Sequence, residues 1–223
     1  MINGRNDRAE IFARLKTANQ HRDKAPHPGA MVPPKMASHQ GAAMVNHFID
    51  AAEGQYASVS KISSFAEIPS FMTSWLVGQN LPRDFVVAPI LSDLAWAQET
   101  SIAPRSGAAT TADIVGLSLA HGAAAETGTL MMISGQETPT TLNFVPDVEV
   151  IAISVKDISA GMEGCWEKLR AWKENNPMPR AVNFVTGPSR TADVEATMVL
   201  GAHGPRRLHI LLVDEDSPWQ KSN

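Results

Sequence analysis

The chain has 223 residues, of which 43% are hydrophobic and 19% charged. That size and balance suit one globular domain with extensions or at most two small ones, exclude wholesale disorder and leave enough apolar material for a sizeable core. The single cysteine, Cys165, excludes an internal disulfide and, within this chain alone, a protein-held iron–sulfur cluster or a cysteine-based zinc site.

The net charge is −4, and it is unevenly spread. Residues 1–40 carry seven basic and three acidic side chains, and the remainder twelve and twenty. An acidic body is poorly matched to nucleic acid, and the basic stretch is too sparse for a nucleic-acid arm. No run of about eighteen apolar residues is present, so no membrane span is expected. The opening MINGRNDRAEIFARL lacks the apolar segment of a secretory signal, and a cytoplasmic location is expected.

In chain order, residues 7–19 predict an amphipathic helix with Ile11, Phe12, Leu15 and Ala18 on one side, capped by Asn6 or Asp7. So narrow a stripe is marginal alone and must dock on its own domain or on a partner. Residues 20–40, rich in Pro, His and Lys, read as an extended arm with solvated histidines. The domain boundary is therefore placed at 40/41. Beyond it, helices are predicted at 41–53, 65–78, 92–98, 157–175 and 190–200. Strands are predicted at 56–60, 85–88, 113–119, 128–134, 148–155, 181–186 and 207–213. Runs such as TLMMIS, VIAISV, AVNFV and LHILLV are apolar throughout, which suits strands covered on both faces. Alternation with helices predicts an α/β fold with a mostly parallel central sheet, whose ligands should lie beyond the strands' carboxyl ends.

Three segments can carry chemistry. GPSRTADVE at 187–195 is predicted to leave a strand and open a helix. There Gly187 permits a close turn, Ser189 or Thr191 caps, and Asp193 and Glu195 answer the helix dipole. Arg190 is out of place at a positive helix end, so the free amides and its guanidinium together suggest an anion site. HGAAAETGTLMMIS at 121–134 isolates Glu126 among small residues, either as a general base or nucleophile or as a turn held by backbone amides. His121 either pairs with Glu126 or faces solvent. In LGAHGPRRLHILLVD at 200–214, His203 can reach a site, Arg206 and Arg207 read as solvated, and His209 as packed. Cys165 reads as a buried, inert thiol. Nothing matches a P-loop, a GxGxxG loop, a nucleophile elbow or HExxH.

AETGT at 125–129, GPSRTADVE at 187–195 and GAHGPRRLHILLV at 201–213 together resemble the LUD domain, and within it the lactate utilisation protein C family. RAEIFARL at 8–15, LPRDFVVAP at 81–89 and TPTTLNFVPDVEVIAIS at 138–154 fit the same family. The resemblance implies a fold like that of the glucosamine-6-phosphate isomerase, ribose-5-phosphate isomerase and CoA-transferase group. It also implies a place in oxidation of L-lactate to pyruvate, beside partner proteins that carry the iron–sulfur clusters, with no cofactor in this chain. The expected role is an accessory or ligand-binding subunit for a small carboxylate or phosphate-containing ligand. The alternative is a stand-alone CoA-transferase-like or sugar-phosphate-isomerase-like enzyme using Glu126.

Overall fold

A computed structural model of the protein describes residues 4–20, 38–192, 198–200 and 204–220. The chain divides into two units, Met1–Pro33 and Pro34–Asn223. The first contains helix α1 (Gly4–Gln20). It begins earlier than predicted, so Asn6 and Asp7 lie inside it. Ile11 and Leu15 are exposed, and Glu10 pairs with Arg14 one turn on at 2.7 Å. Most of the predicted arm, residues 21–37, lies outside the described residues. His39, at its end, stacks on His47.

The second unit opens with α2 (Gly41–Gly54), β1 (Ser58–Ile62) and α3 (Ile68–Gly78). Pro69 lies in the first turn of α3, where a missing N–H breaks no helical hydrogen bond. Strands β2 (Asp84–Val87), β3 (Ala103–Ser106), β4 (Val115–Leu119), β5 (Gly122–Ala124), β6 (Thr129–Ile133), β7 (Val148–Ser154) and β8 (Ile158–Ser159) follow. Then come α4 (Met162–Lys173), β9 (Val182–Val185), β10 (Arg190–Ala192), β11 (Met198–Leu200) and β12 (Arg207–Val213). The predicted helix at 92–98 is reduced to short 3-10 turns at Pro89–Leu91 and Trp96–Gln98.

The central sheet has the order β1-β12-β7-β4-β2-β3, and every pair in it is parallel. The α/β expectation holds. Alternate residues of β7 divide between its faces. Val148, Val150 and Ala152 meet α3 through Met72 and Leu76, while Ile151 and Ile153 meet Phe48 and Ala52 of α2. A second sheet, β8-β5-β6-β9, lies on the α2 side, with Leu130 and Met132 in the same core as Ile151. Its other face packs Met131 and Ile133 on Cys165 and Leu169 of α4. TLMMIS and AVNFV therefore belong to this second sheet, where β6 pairs antiparallel with both β5 and β9.

The helix predicted over 190–200 is not found at its described ends. Arg190–Ala192 pairs antiparallel with Met198–Leu200, which removes the helix N-terminus expected at Ser189.

Glu149 of β7 is wholly buried between Gly116 and Leu208. The Ser118 hydroxyl donates to one carboxyl oxygen at 3.0 Å, and the other has no partner among the described residues. Burial pushes the carboxyl up to about 8, so it is mostly protonated at neutral pH. A carboxyl raised on folding contributes stability that is complete below its unfolded value and lost as pH rises through its folded value. Urea denaturation over a pH series should show wild type losing stability relative to Glu149→Gln between pH 4.5 and about 8, then levelling. A pH-independent difference between the two proteins contradicts this.

Candidate functional site

The motifs AETGT and GPSRTADVE meet at the carboxyl-terminal end of α2. Gly128 of AETGT and Gly187 of GPSRTADVE both hold left-handed backbone, with φ of 64° and 72°. A Cβ on Gly128 would collide with the backbone of Ala51 and Ala52, and one on Gly187 with the Gln55 carbonyl. Both loops can thus lie against the helix end only without side chains.

Three hydroxyls join the same loops. Thr127 Oγ1 lies 2.6 Å from Thr129 Oγ1, which lies 2.7 Å from Thr186 Oγ1. None of the three stood out in the sequence as a site residue, although AETGT contains two of them.

Two cavities open beside this joint. One, of about 430 Å³, is lined by Gly187, Ser189, Arg190, Asn143 and Pro205 among others. Its neighbour, of about 600 Å³, is lined by Glu126, Thr127, Thr129 and Met162 among others. Gln55, Phe184 and Thr186 line both, so the cavities adjoin. Ser189 N donates to Pro205 O at 2.8 Å, which seats the 187–190 loop on the segment entering β12.

Gln55 precedes β1, Asn143 precedes β7 and Pro205 precedes β12. The cavities therefore sit at the amino ends of the central strands, whereas the parallel-sheet rule predicts the carboxyl ends. The reason is topological: the 187–190 loop leaves β9, a strand of the second sheet, and that loop reaches the amino-terminal side of the first.

Arg190 is stacked on Tyr56, its Cζ 3.3 Å from the ring centroid. Tyr56 occupies the position just past the α2 cap with φ of 67°, where glycine or asparagine is usual, and the residue is 67% exposed. Glu126 Oε1 accepts from Met162 N at 2.9 Å. The carboxylate thus serves the first turn of α4, where negative charge is favoured. That is the backbone-holding role, exercised on a helix 36 residues away rather than within a local turn.

Of the remaining predicted site residues, Thr191 lies in β10, and Asp193, Glu195 and His203 lie outside the described residues. His121 neither pairs with Glu126 nor faces solvent. It is buried where β4 passes into β5, edge-on to Trp172 and Trp219 at 5.5 and 5.1 Å. Arg206 pairs with Asp147 at 3.5 Å, and Arg207 bonds Gln79. His209 packs on Phe71 and Trp75, and its Nδ1 lies 2.8 Å from the Ser58 hydroxyl. Cys165 is buried, and burial pushes its thiol up to about 11. Among the described residues, no three of His, Cys, Asp and Glu are grouped so as to hold a metal ion. No described helix is long and apolar enough to cross a membrane.

The sequence profile of the LUD domain matches residues 96–213. Over 105 residues the chain is 41% identical to an uncharacterized protein of Neisseria meningitidis serogroup B, covering 45% of this chain and 42% of that one. It is 30% identical over 102 residues to lactate utilization protein C of a Geobacillus species, covering 45% of this chain and 42% of the relative. With lactate utilization protein C of Bacillus pumilus the identity is 33% over 93 residues, covering 41% and 39%. The matched segments span less than half the length of these relatives. The crystal structure of a DUF162 family protein from Deinococcus radiodurans aligns with a TM-score of 0.58 at 20% identity, covering 77% of this chain and 97% of that one. At that identity the likeness concerns the fold.

Glu126→Ala, which removes the acceptor for Met162 N, should cost about 1 kcal/mol in thermal or urea denaturation. Glu126→Gln, which keeps an acceptor oxygen, should melt close to wild type. Equal losses for both variants would contradict the capping role.

Proposed function

The chain belongs to the LUD domain family, and on that premise we propose that it acts in lactate utilisation as a ligand-binding accessory subunit. In this reading the chain works in the cytoplasm beside partner proteins that hold iron–sulfur clusters and carry the electrons taken from L-lactate. The names of its relatives support the pathway. The lone cysteine supports the division of labour, because a buried thiol held protonated is a poor cluster ligand.

The observation that carries a binding role is the charge pattern of the paired cavities. Among the described residues that line them, Arg190 is the one charged group of the first and Glu126 of the second. Glu126 already accepts a backbone amide, and no second titratable side chain among those residues stands ready to exchange a proton with it. Acid–base catalysis needs such a partner in reach of the reacting group. Binding needs only what is present: a guanidinium for a carboxylate or phosphate, and the Ser189 and threonine hydroxyls for its remaining oxygens.

The test is purification of the native assembly, through a tag on this chain, from cells grown on L-lactate. Co-purifying proteins with iron–sulfur absorbance, and loss of lactate oxidation when this chain is deleted and its return on complementation, are expected. Full lactate oxidation without the chain would refute the reading. Loss of turnover in Glu126→Gln with unchanged melting would instead move Glu126 into catalysis.

A further inference from the structure

The carboxyl ends of the central strands, where open parallel sheets ordinarily receive ligands, border a different cavity. Past β12 the chain runs to Trp219, whose indole Nε1 donates to Ala120 O at 3.0 Å, just beyond the end of β4. The segment after β6 is tied to the segment after β2 by Ile90 N donating to Glu137 O at 3.2 Å. A cavity of about 610 Å³ lies here, walled by Trp172 of α4, Trp219, Pro177 and Met178. That volume falls in the range of small-molecule sites.

Its aromatic walls are fixed from behind. The two indoles meet at 85° with centroids 6.5 Å apart, and both rest edge-on against the buried ring of His121. Burial, with Lys168 nearby, pushes that imidazole down to about 3, so it packs as a neutral ring. Neither of its nitrogens has a partner among the described residues.

One cation faces this space. Arg180 lines the cavity and also an adjoining one of about 520 Å³ that includes Ser134 and Thr140. It forms no ion pair or hydrogen bond with any described residue. Glu137 lines the larger cavity but not the smaller and does not pair with Arg180, so the guanidinium is the charged group where the two meet.

We propose that this cavity is a second binding site, for a small organic carboxylate with an aromatic or branched apolar body. The body lies against Trp172 and Trp219, and the carboxylate takes the forked contact of Arg180. This site is independent of the one holding Glu126 and Arg190, and so of the function proposed for that one.

Calorimetry and intrinsic tryptophan fluorescence of the full chain titrated with 3-phenylpropionate test it, with 3-phenylpropan-1-ol as the uncharged control. The acid should bind, perturb tryptophan emission and bind more tightly than the alcohol. Arg180→Gln should weaken the acid about tenfold, the value of one lost charged contact, and leave the alcohol unaffected. Glu137→Gln should tighten the acid, and Arg190→Gln should leave it unchanged. No binding of the acid, equal binding of acid and alcohol, wild-type affinity in Arg180→Gln, or loss of binding in Arg190→Gln would each overturn the proposal. Arg180 is exposed and makes no hydrogen bond or ion pair with a described residue, so its replacement removes no polar support of the fold.

Discussion

Two glycines press against the last turn of α2, and the geometry of the paired cavities depends on that contact. Gly128 and Gly187 come from distant parts of the chain, yet each would drive a Cβ into the same helix end. Their approach lets the hydroxyls of Thr127, Thr129 and Thr186 form one chain, and it sets the adjoining cavities on either side of Gln55 and Thr186. The motifs that mark the family in sequence thus mark one joint in space. Their glycines serve packing first, and the pocket follows from it.

The same joint accounts for how the charged groups are used. Glu126 is anchored to the start of α4, which connects the second sheet's loop to the helix covering that sheet's outer face. Arg190 is parked on Tyr56, a bulky residue in a backbone conformation that disfavours it. Such strain persists only where the surroundings enforce it, and it is concentrated at sites of function. On the proposed reading, the parked cation and the linked hydroxyls are the groups that would meet the ligand's oxygens. At the opposite end of the central strands the chemistry differs: the cavity there has indole walls and a guanidinium with no ion pair or hydrogen bond to a described residue.

Much of this architecture is legible in the residues. The apolar runs VIAISV and LHILLV lie in the middle of the parallel sheet; α2 and α3 fall close to the predicted 41–53 and 65–78, while α4 is shorter than the predicted 157–175 because Ile158–Ser159 is a strand. The failures have physical causes. Apolar runs such as TLMMIS show that a strand is covered on both faces but not which way its neighbours run, and β6 is buried between two cores while pairing antiparallel. SRTADVE carries the composition of a capped helix start, but at Arg190–Ala192 that local preference yields to strand pairing with the apolar Met198–Leu200 segment. Nothing in the residues around His121 shows that it is buried. The small residues after it form β5, and the ring is enclosed by tryptophans more than fifty and nearly a hundred positions away. Glu149 gives no local sign of its burial, which comes from strands on either side.

The most direct test of the central contact is the equilibrium stability of Gly128→Ala and Gly187→Ala, with Gly78→Ala as reference. A Cβ at Gly78 meets nothing within 4 Å. Urea denaturation should show each of the first two losing more than about 2 kcal/mol, with Gly78→Ala near or above wild type. Wild-type stability in Gly128→Ala and Gly187→Ala would show that the loops do not bear on α2, and the shared site built on that contact would fall with it.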